Sequence, residues 1–186
     1  YYGDEIGMGD NIWLEDRDGV RTPMQWTPDR NAGFSNATPG KLHLPAIQDP
    51  VYGYQSVNVE AQLENTSSLL HWTRRMIHAR RRHPAFGLGT FADLGGSNPT
   101  VLSYAREHVN PDGSRDTIVC VNNLSRFPQP VELDLRRFEG QVPIELLGGV
   151  PFPAIGELPY LLTLGSYGFY WFRLTDGIDS EEGQLL

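Results

Sequence analysis

Glycine and proline interrupt the first third of this 186-residue chain every few positions, which leaves little room for regular secondary structure. Between residues 1 and 60 they stand at Gly3, Gly7, Gly9, Gly19, Pro23, Pro28, Gly33, Pro39, Gly40, Pro45, Pro50 and Gly53. An irregular segment of this length is uncommon inside a compact domain and usually belongs to a functional surface or to a larger structure. We therefore expect residues 1–60 to form a long loop, and the chain, which starts at Tyr1, to begin within a larger protein.

Residues 66–83 have the spacing of one amphipathic helix. Its apolar stripe, with neighbours three or four positions apart, consists of Leu69, Leu70, Trp72, Met76, Ile77, Ala79 and His83. One of the hydroxyl residues 66–68 is expected to cap the start of the helix, and Pro84 is expected to end it. The arginines Arg80–Arg82 fall in the last turn, where positive charge on a solvated face complements the helix dipole.

From residue 88 onward, short apolar segments alternate with turn signals rich in glycine, proline and asparagine. The predicted strands are Gly89–Asp93, Val101–Glu107, Thr117–Asn122, Val131–Leu135, Val142–Leu146, Leu161–Leu164 and Tyr167–Leu174. This spacing is typical of a small antiparallel sandwich or barrel. In the last strand, alternation places Phe169 and Trp171 on one face and Tyr170 and Phe172 on the other, and one of these pairs is expected to fill the core.

The composition excludes several classes of partner and site. The net charge of −8 argues against nucleic acid or an anionic membrane as the main partner. Cys120 is the only cysteine, so the chain has no internal disulfide, and its apolar strand-like neighbours predict a buried, inert thiol. No signal-peptide pattern follows Tyr1, and we expect a cytoplasmic protein.

The polar residues carry no complete metal or cofactor motif, and we expect neither a cofactor nor a metal. Asp16-Arg17-Asp18-Gly19 is similar to part of a calcium loop, but Leu14 and Gln25 stand where the first and last ligands belong. The histidines, which lack metal-ligand spacing, are His43, His71, His78, His83 and His108. Acidic residues cluster near the start of the chain, at Asp4, Glu5, Asp10, Glu15, Asp16 and Asp18. Two of them could act as a catalytic carboxylate pair, or all of them could be ordinary turn residues.

Several long strings resemble the alpha-amylase family of glycoside hydrolases. Tyr1-Tyr2-Gly3-Asp4-Glu5-Ile6-Gly7-Met8 closely resembles the segment that ends the eighth barrel strand in that family. Four further strings resemble the branch of the family that contains oligo-1,6-glucosidases and trehalose synthases. They are Arg21-Thr22-Pro23-Met24-Gln25-Trp26, Asn31-Ala32-Gly33-Phe34-Ser35, Asn58-Val59-Glu60-Ala61-Gln62-Leu63 and Arg82-His83-Pro84-Ala85. Gly9-Asp10-Asn11-Ile12-Trp13-Leu14 and Tyr167-Gly168-Phe169-Tyr170-Trp171 are most similar to the trehalose synthases of this branch.

The resemblance implies an α+β chain that contains the end of a (β/α)₈ barrel followed by a small antiparallel β-sandwich. The barrel part is expected at residues 1–86, the sandwich at 87–176 and an exposed tail at 177–186. A complete barrel takes about 250 residues. The remainder of the catalytic barrel is therefore an expected partner, and a homo-oligomer is possible. Without that remainder, Leu69, Trp72 and Met76 are expected to be exposed or covered by another chain.

The resemblance also implies site roles. The catalytic trio of the family, two aspartates and a glutamate, lies upstream of Tyr1, so no catalytic residue is assigned here. Arg17, followed by Asp18, resembles the family arginine that approaches the sugar near the scissile bond, and we expect these two residues to bind substrate. The alternative is that Arg17 only pairs with a neighbouring carboxylate, Glu15, Asp16 or Asp18, and braces the loop.

Four other residues of the resembling strings have structural expectations. Asp4 and Glu5 are expected to brace the loop, and Trp26 and Phe34 are expected to anchor it rather than to stack on sugar.

The implied activity is interconversion of maltose and trehalose by a retaining, intramolecular glucosyl transfer in a larger enzyme. The chain alone is expected to be inactive and to contribute part of the pocket wall. Two alternatives stay open: a part of an oligo-1,6-glucosidase or other alpha-glucosidase, and a stand-alone sugar-binding module.

Overall fold

The computed structural model describes residues 1–177, so the predicted tail lies outside the described residues except for Gly177. The chain divides into two compact units, Tyr1–Ile77 and His78–Leu186. The second unit is described here as far as Gly177.

The first unit begins with a long irregular segment, as predicted. It contains only short 3₁₀ turns, at Asp4–Ile6, Asp18–Val20, Arg30–Gly33 and Pro39–Lys41. Helix α1, Val59–Glu64, follows and was not predicted separately, because six residues are too few to show a helical period. Asn58 caps it: the Asn58 Oδ1 atom accepts a hydrogen bond of 2.8 Å from the Ala61 N–H group.

Helix α2, Leu69–Arg82, confirms the amphipathic helix but begins three residues later than predicted. The hydroxyl of Ser68 accepts the hydrogen bond from the His71 N–H group at 3.3 Å, and therefore satisfies one of the free donors at the helix start. Leu69 and Trp72 of the apolar stripe are 41% and 40% exposed. Met76 is half-buried, and the three arginines of the last turn are exposed as predicted.

The second unit contains a short helix and all the strands of the described residues. Helix α3, Ala85–Leu88, is a single turn that was not predicted. The strands are β1 Thr90–Asp93, β2 Val101–Val109, β3 Arg115–Asn123, β4 Gln129–Leu133, β5 Val142–Glu145, β6 Tyr160–Leu164 and β7 Phe169–Thr175. They form a five-stranded antiparallel sheet in the order β1-β2-β3-β7-β5 and a two-stranded sheet of β4 and β6. Each predicted strand overlaps one observed strand.

The main core of this unit lies between the two sheets. Val119 of β3 and Phe172 of β7 pack in one apolar cluster with Val131 of β4 and Leu162 of β6. The alternation predicted for β7 is confirmed, since Phe172 is 2% exposed and Tyr170 packs against the same cluster. The cluster therefore joins both sheets into the predicted antiparallel sandwich.

The other face of the five-stranded sheet is covered by helix α3. Ala85 of that helix, Ile118 and Cys120 form a second buried cluster, against which Trp171 packs. Cys120 is completely buried, as predicted, and burial raises the pKa of its thiol to about 11. The aromatic residues of β7 thus pack on both sides of the sheet. No helix within residues 1–177 has the length and apolar content needed to cross a membrane.

Candidate functional site

The predicted substrate residues lie in a closed loop of nine residues, here called the 11–19 loop. Its ends are joined by a hydrogen bond of 3.1 Å from the Asn11 N–H group to the Gly19 carbonyl oxygen. Two further turns are closed inside it, from Leu14 N–H to Asn11 O and from Asp18 N–H to Glu15 O, both at 3.1 Å. The loop therefore has a defined backbone that is held by its own hydrogen bonds.

Gly19 is required at the base of this loop by space rather than by backbone angle. A Cβ atom at position 19 would overlap the Asp10 Oδ1 atom and would lie 2.7 Å from the Asn11 carbonyl oxygen. The Asp10 side chain is exposed and can rotate away, but the Asn11 oxygen belongs to the backbone and cannot move without moving the loop. Any side chain here would push the two ends of the loop apart.

Arg17 and Asp18 have different environments. Arg17 is exposed, and within residues 1–177 its guanidinium forms no ion pair, so the predicted alternative of bracing against Glu15, Asp16 or Asp18 is not observed. The Asp18 carboxylate instead lies 3.6 Å from the Arg21 guanidinium. Asp16 has a φ of 50°, a left-handed conformation that turns the backbone immediately before Arg17. The loop thus presents Arg17 with its hydrogen-bond donors available.

Two apolar side chains of the same loop were not selected from the sequence as site residues. Ile12 is 75% exposed and Trp13 is 87% exposed. The Trp13 N–H group donates a hydrogen bond of 3.2 Å to the Asn11 side-chain oxygen. The Asn11 turn was a signal that could have shown Trp13 to be on a rigid bend, but only the structure shows that nothing within the first unit buries its ring.

Gln25 joins distant parts of the irregular segment. Its side-chain amide nitrogen donates to the carbonyl oxygens of Tyr52, at 3.1 Å, and Val57, while the backbone carbonyl oxygen of Gln25 accepts from Val59 N–H at 3.0 Å. The Gln25 Oε1 atom and the Thr22 hydroxyl are both buried without a hydrogen-bond partner among the described residues. Such an unpaired buried group costs about 1–3 kcal/mol. Both groups therefore have unused capacity for hydrogen bonds.

A left-handed turn follows Gln25 in the chain. Asn31, Ala32 and Gly33 all have φ between 58° and 66°, and the Ala32 carbonyl oxygen accepts the Trp26 N–H group at 2.8 Å. The Asn31 side chain stabilises the turn by donating to two carbonyl oxygens, at 2.8 Å and 2.7 Å. Trp26 is 49% exposed. Phe34, directly after the turn, is 53% exposed, so the expected anchoring role is not confirmed for either ring.

Gln62 connects the start of the chain to both helices of the first unit. Its amide nitrogen donates to the Ile6 carbonyl oxygen at 2.6 Å, and its side-chain oxygen accepts from Leu70 N–H at 3.0 Å. The bracing role expected for Glu5 is confirmed by a bond of 2.9 Å from Gly3 N–H to the Glu5 carboxylate. For Asp4 the bracing role stays a prediction. The Gln62 amide joins the first turn of the chain to helix α1.

In the second unit, the structure shows a pair that sequence reasoning missed. The Nδ1 atom of His83 lies 3.0 Å from Asp116 Oδ1, and the Ala85 N–H group donates to Asp116 Oδ2 at 2.9 Å. Burial alone would raise the pKa of Asp116, but the hydrogen bonds from His83 and Ala85 outweigh it and hold the pKa below its ordinary value. The pair is structural. Among residues 1–177, no cluster of three histidine, cysteine or carboxylate side chains could hold a metal ion.

Comparison with known protein families assigns both parts of the chain. The model of the alpha amylase catalytic domain matches residues 1–89, and the model of the maltogenic amylase C-terminal domain matches residues 94–171. The chain belongs to the alpha-amylase family of glycoside hydrolases. It carries the end of the family's (β/α)₈ barrel followed by an antiparallel β-domain, as the sequence predicted.

The curated relatives of this member of the alpha-amylase family include trehalose synthases. It is 83% identical to the trehalose synthase of Pimelobacter over 95% of the chain, and 67% identical to the trehalose synthase/amylase of Mycobacterium tuberculosis over 94%. An oligo-1,6-glucosidase of Parageobacillus thermoglucosidasius is 31% identical over 69%. The chain spans about 30% of the length of the first two relatives and 21% of the third.

Solved structures of alpha-amylase family enzymes have the same fold. The isomaltulose synthase of Klebsiella has a TM-score of 0.60 and 25% identity, over 89% of this chain and 27% of that one. The trehalulose synthase of Pseudomonas mesoacidophila has a TM-score of 0.59 and 27% identity over the same shares. Both comparisons extend across the irregular segment and the β-domain, because they cover nearly all of the chain.

Proposed function

We propose that this chain is the C-terminal part of an enzyme that interconverts maltose and trehalose by a retaining, intramolecular glucosyl transfer. The observation that carries the proposal is the 83% identity to a trehalose synthase over 95% of the chain. The same region of an oligo-1,6-glucosidase is only 31% identical. At that difference, the trehalose synthases account for this sequence better than the glucosidases of the same family do.

The chain contributes to this reaction as part of the pocket wall. In the proposed division, residues 1–86 complete the catalytic barrel, and residues 87–176 form the β-sandwich that supports it. Active sites of such barrels lie at the carboxyl ends of the strands, where long loops follow. The nucleophile and the acid/base are supplied upstream of Tyr1, so the isolated chain is inactive. In the complete enzyme, the irregular segment lies beside the bound sugar.

Arg17 and Asp18 are the proposed substrate-binding residues. The Arg17 guanidinium is exposed and has no ion pair within the described residues, which leaves its N–H groups for sugar hydroxyls. Asp18 is half-buried, and its carboxylate interacts with Arg21. Its carboxylate oxygens can accept hydrogen bonds from sugar hydroxyls. Maltose and trehalose are the proposed ligands, and the remainder of the barrel is the proposed partner.

The experiment is an activity assay of the longer protein with maltose as substrate, in which trehalose and glucose are measured separately. We expect trehalose as the main product, and none from residues 1–186 alone. Glucose without trehalose would identify a hydrolytic glucosidase and contradict the proposal. Quenching of tryptophan fluorescence by micromolar maltose in the isolated chain would instead favour a sugar-binding module.

The role of Arg17 is tested in the same assay by Arg17→Ala. Loss of two hydrogen bonds that the charged group makes in the transition state predicts a fall in kcat/KM of about 100-fold. Arg74→Ala is the control, because Arg74 is an exposed arginine of helix α2, outside the 11–19 loop. Near-normal kinetics for Arg17→Ala would overturn the role. Location in the cytoplasm and any homo-oligomer stay predictions.

A further inference from the structure

The 11–19 loop combines two side chains with different chemistry on one rigid backbone. Trp13 is 87% exposed, and Arg17, four residues later, is exposed without an ion pair among residues 1–177. The hydrogen bond between Asn11 N–H and the Gly19 carbonyl oxygen places both side chains on the same closed loop. An indole ring and a guanidinium are therefore carried by one nine-residue loop.

The turn that carries Trp13 is closed by its own hydrogen bonds. The Asn11 side-chain oxygen accepts the Trp13 N–H group at 3.2 Å, and the Asn11 carbonyl oxygen accepts the Leu14 N–H group at 3.1 Å. An asparagine that accepts a bond two residues ahead fixes the direction of the chain at this point. A large apolar ring held in the open on a fixed bend is unfavourable in water unless a ligand or another surface covers it.

A hexose unit fits this pair of side chains. A pyranose has an apolar C–H face, on which an aromatic ring packs, and a rim of hydroxyls that accept hydrogen bonds from a guanidinium. The left-handed Asp16 lies between the two side chains and turns the backbone there. Carboxylates at positions 15, 16 and 18 on the same loop can accept bonds from other sugar hydroxyls.

We propose that Trp13 is a specificity-determining residue: it packs on the glucose released from maltose and retains it until it attacks again. This inference rests on the proposed function. In the first step the nucleophile carboxylate bonds to the anomeric carbon, the bond between that carbon and O4 breaks, and the acid/base gives its proton to O4. In the second, the C1 hydroxyl oxygen of that glucose bonds to the anomeric carbon, the bond to the nucleophile breaks, and the hydroxyl proton returns to the acid/base. Attack by water instead yields two glucose molecules.

The test measures the ratio of glucose to trehalose formed from maltose by the longer protein and its variants. For Trp13→Ala, loss of one stacking contact predicts a rise in this ratio of about fivefold. Trp13→Phe keeps an aromatic ring, so its ratio of glucose to trehalose should rise less than about twofold. Ile12→Ala is the matched control, because Ile12 is the 75% exposed neighbour on the same loop, and it should leave the ratio unchanged. Thermal unfolding of each variant reports whether it is folded.

The possible results separate this inference from the proposed function. An unchanged ratio in Trp13→Ala, with trehalose still formed, overturns the role of Trp13 and leaves the proposed function intact. If the unmodified protein makes no trehalose, the proposed function fails and the inference fails with it. Trp13→Leu, which keeps apolar volume without a ring, supplies the same readout where the alanine variant does not fold. An equal rise in Ile12→Ala would also contradict ring stacking.

Discussion

Removing the carboxylate of Asp116 should destabilise the β-domain far more than its single charge suggests. Asp116 is 8% exposed and accepts two hydrogen bonds, at 3.0 Å from His83 and 2.9 Å from the Ala85 N–H group. Ala85 is completely buried, so in Asp116→Ala its N–H group loses its partner without gaining water. Breaking a buried pair of this kind costs about 3–5 kcal/mol.

The measurement is the free energy of unfolding of the 186-residue chain in urea, followed by circular dichroism. Asp134→Ala is the control, because Asp134 is also in a charged pair, with Arg136 at 2.6 Å, but is 58% exposed. We expect this control to unfold with the unmodified protein, since exposed ion pairs contribute little. A loss below about 1 kcal/mol in Asp116→Ala would refute the argument that the unpaired Ala85 N–H group is costly.

The same carboxylate predicts a dependence on pH. Its pKa in the folded protein lies below the ordinary value of 3.8, because the hydrogen bonds outweigh burial. The unfolded chain therefore binds the proton more readily, and the contribution of Asp116 to stability is complete above pH 3.8. It is lost as the pH falls through the pKa of the folded state. Asp116→Asn should flatten the acid limb of the stability curve, and an unaltered limb would contradict this assignment.

Two further predictions concern Gly19 and Cys120. In Gly19→Ala, the new Cβ atom overlaps the Asp10 side chain and approaches the Asn11 carbonyl oxygen to 2.7 Å. We therefore expect the free energy of unfolding to fall by about 1–3 kcal/mol. The control is Gly177→Ala, which should leave the stability unchanged because the space around position 177 is open. A normal urea midpoint for Gly19→Ala would show that the loop relaxes freely. Cys120, fully buried with a pKa of about 11, should react with iodoacetamide only after unfolding, and rapid labelling of the native chain at pH 8 would contradict its burial.

Local patterns in the chain were sufficient for the regular elements. The spacing from Leu69 to Ala79 predicted helix α2, and Pro84 marked its end within two residues. Alternation predicted that Phe172 and Trp171 would lie on opposite faces of the sheet, and the structure shows that Phe172 is the one in the main core. These predictions succeeded because the period of apolar residues depends only on local geometry. Helices α1 and α3 were missed, since six and four residues are too short to display a period.

The candidate site was predictable only in part. Arg17 and Asp18 were predicted from the resemblance and stay predictions, and neither their exposure nor the contact of Asp18 with Arg21 followed from spacing. The sequence assigned Gln25 no role of its own, whereas the structure shows its side-chain amide donating hydrogen bonds to two carbonyl oxygens about thirty residues away. Such contacts depend on loop closure over long distances, for which adjacent residues contain no signal.

The sequence alone determined the family, the irregular first segment, the helix and the sandwich, because these depend on strings of residues, on periodicity and on the positions of glycine and proline. The tertiary structure alone decided which polar groups are paired and which rings are open. It placed Asp116 between His83 and Ala85, and it left Trp13 exposed on a closed loop. The physical reason is that burial and hydrogen-bond partners are set by residues distant in the chain, whereas the tendency to form a helix, strand or turn is largely local.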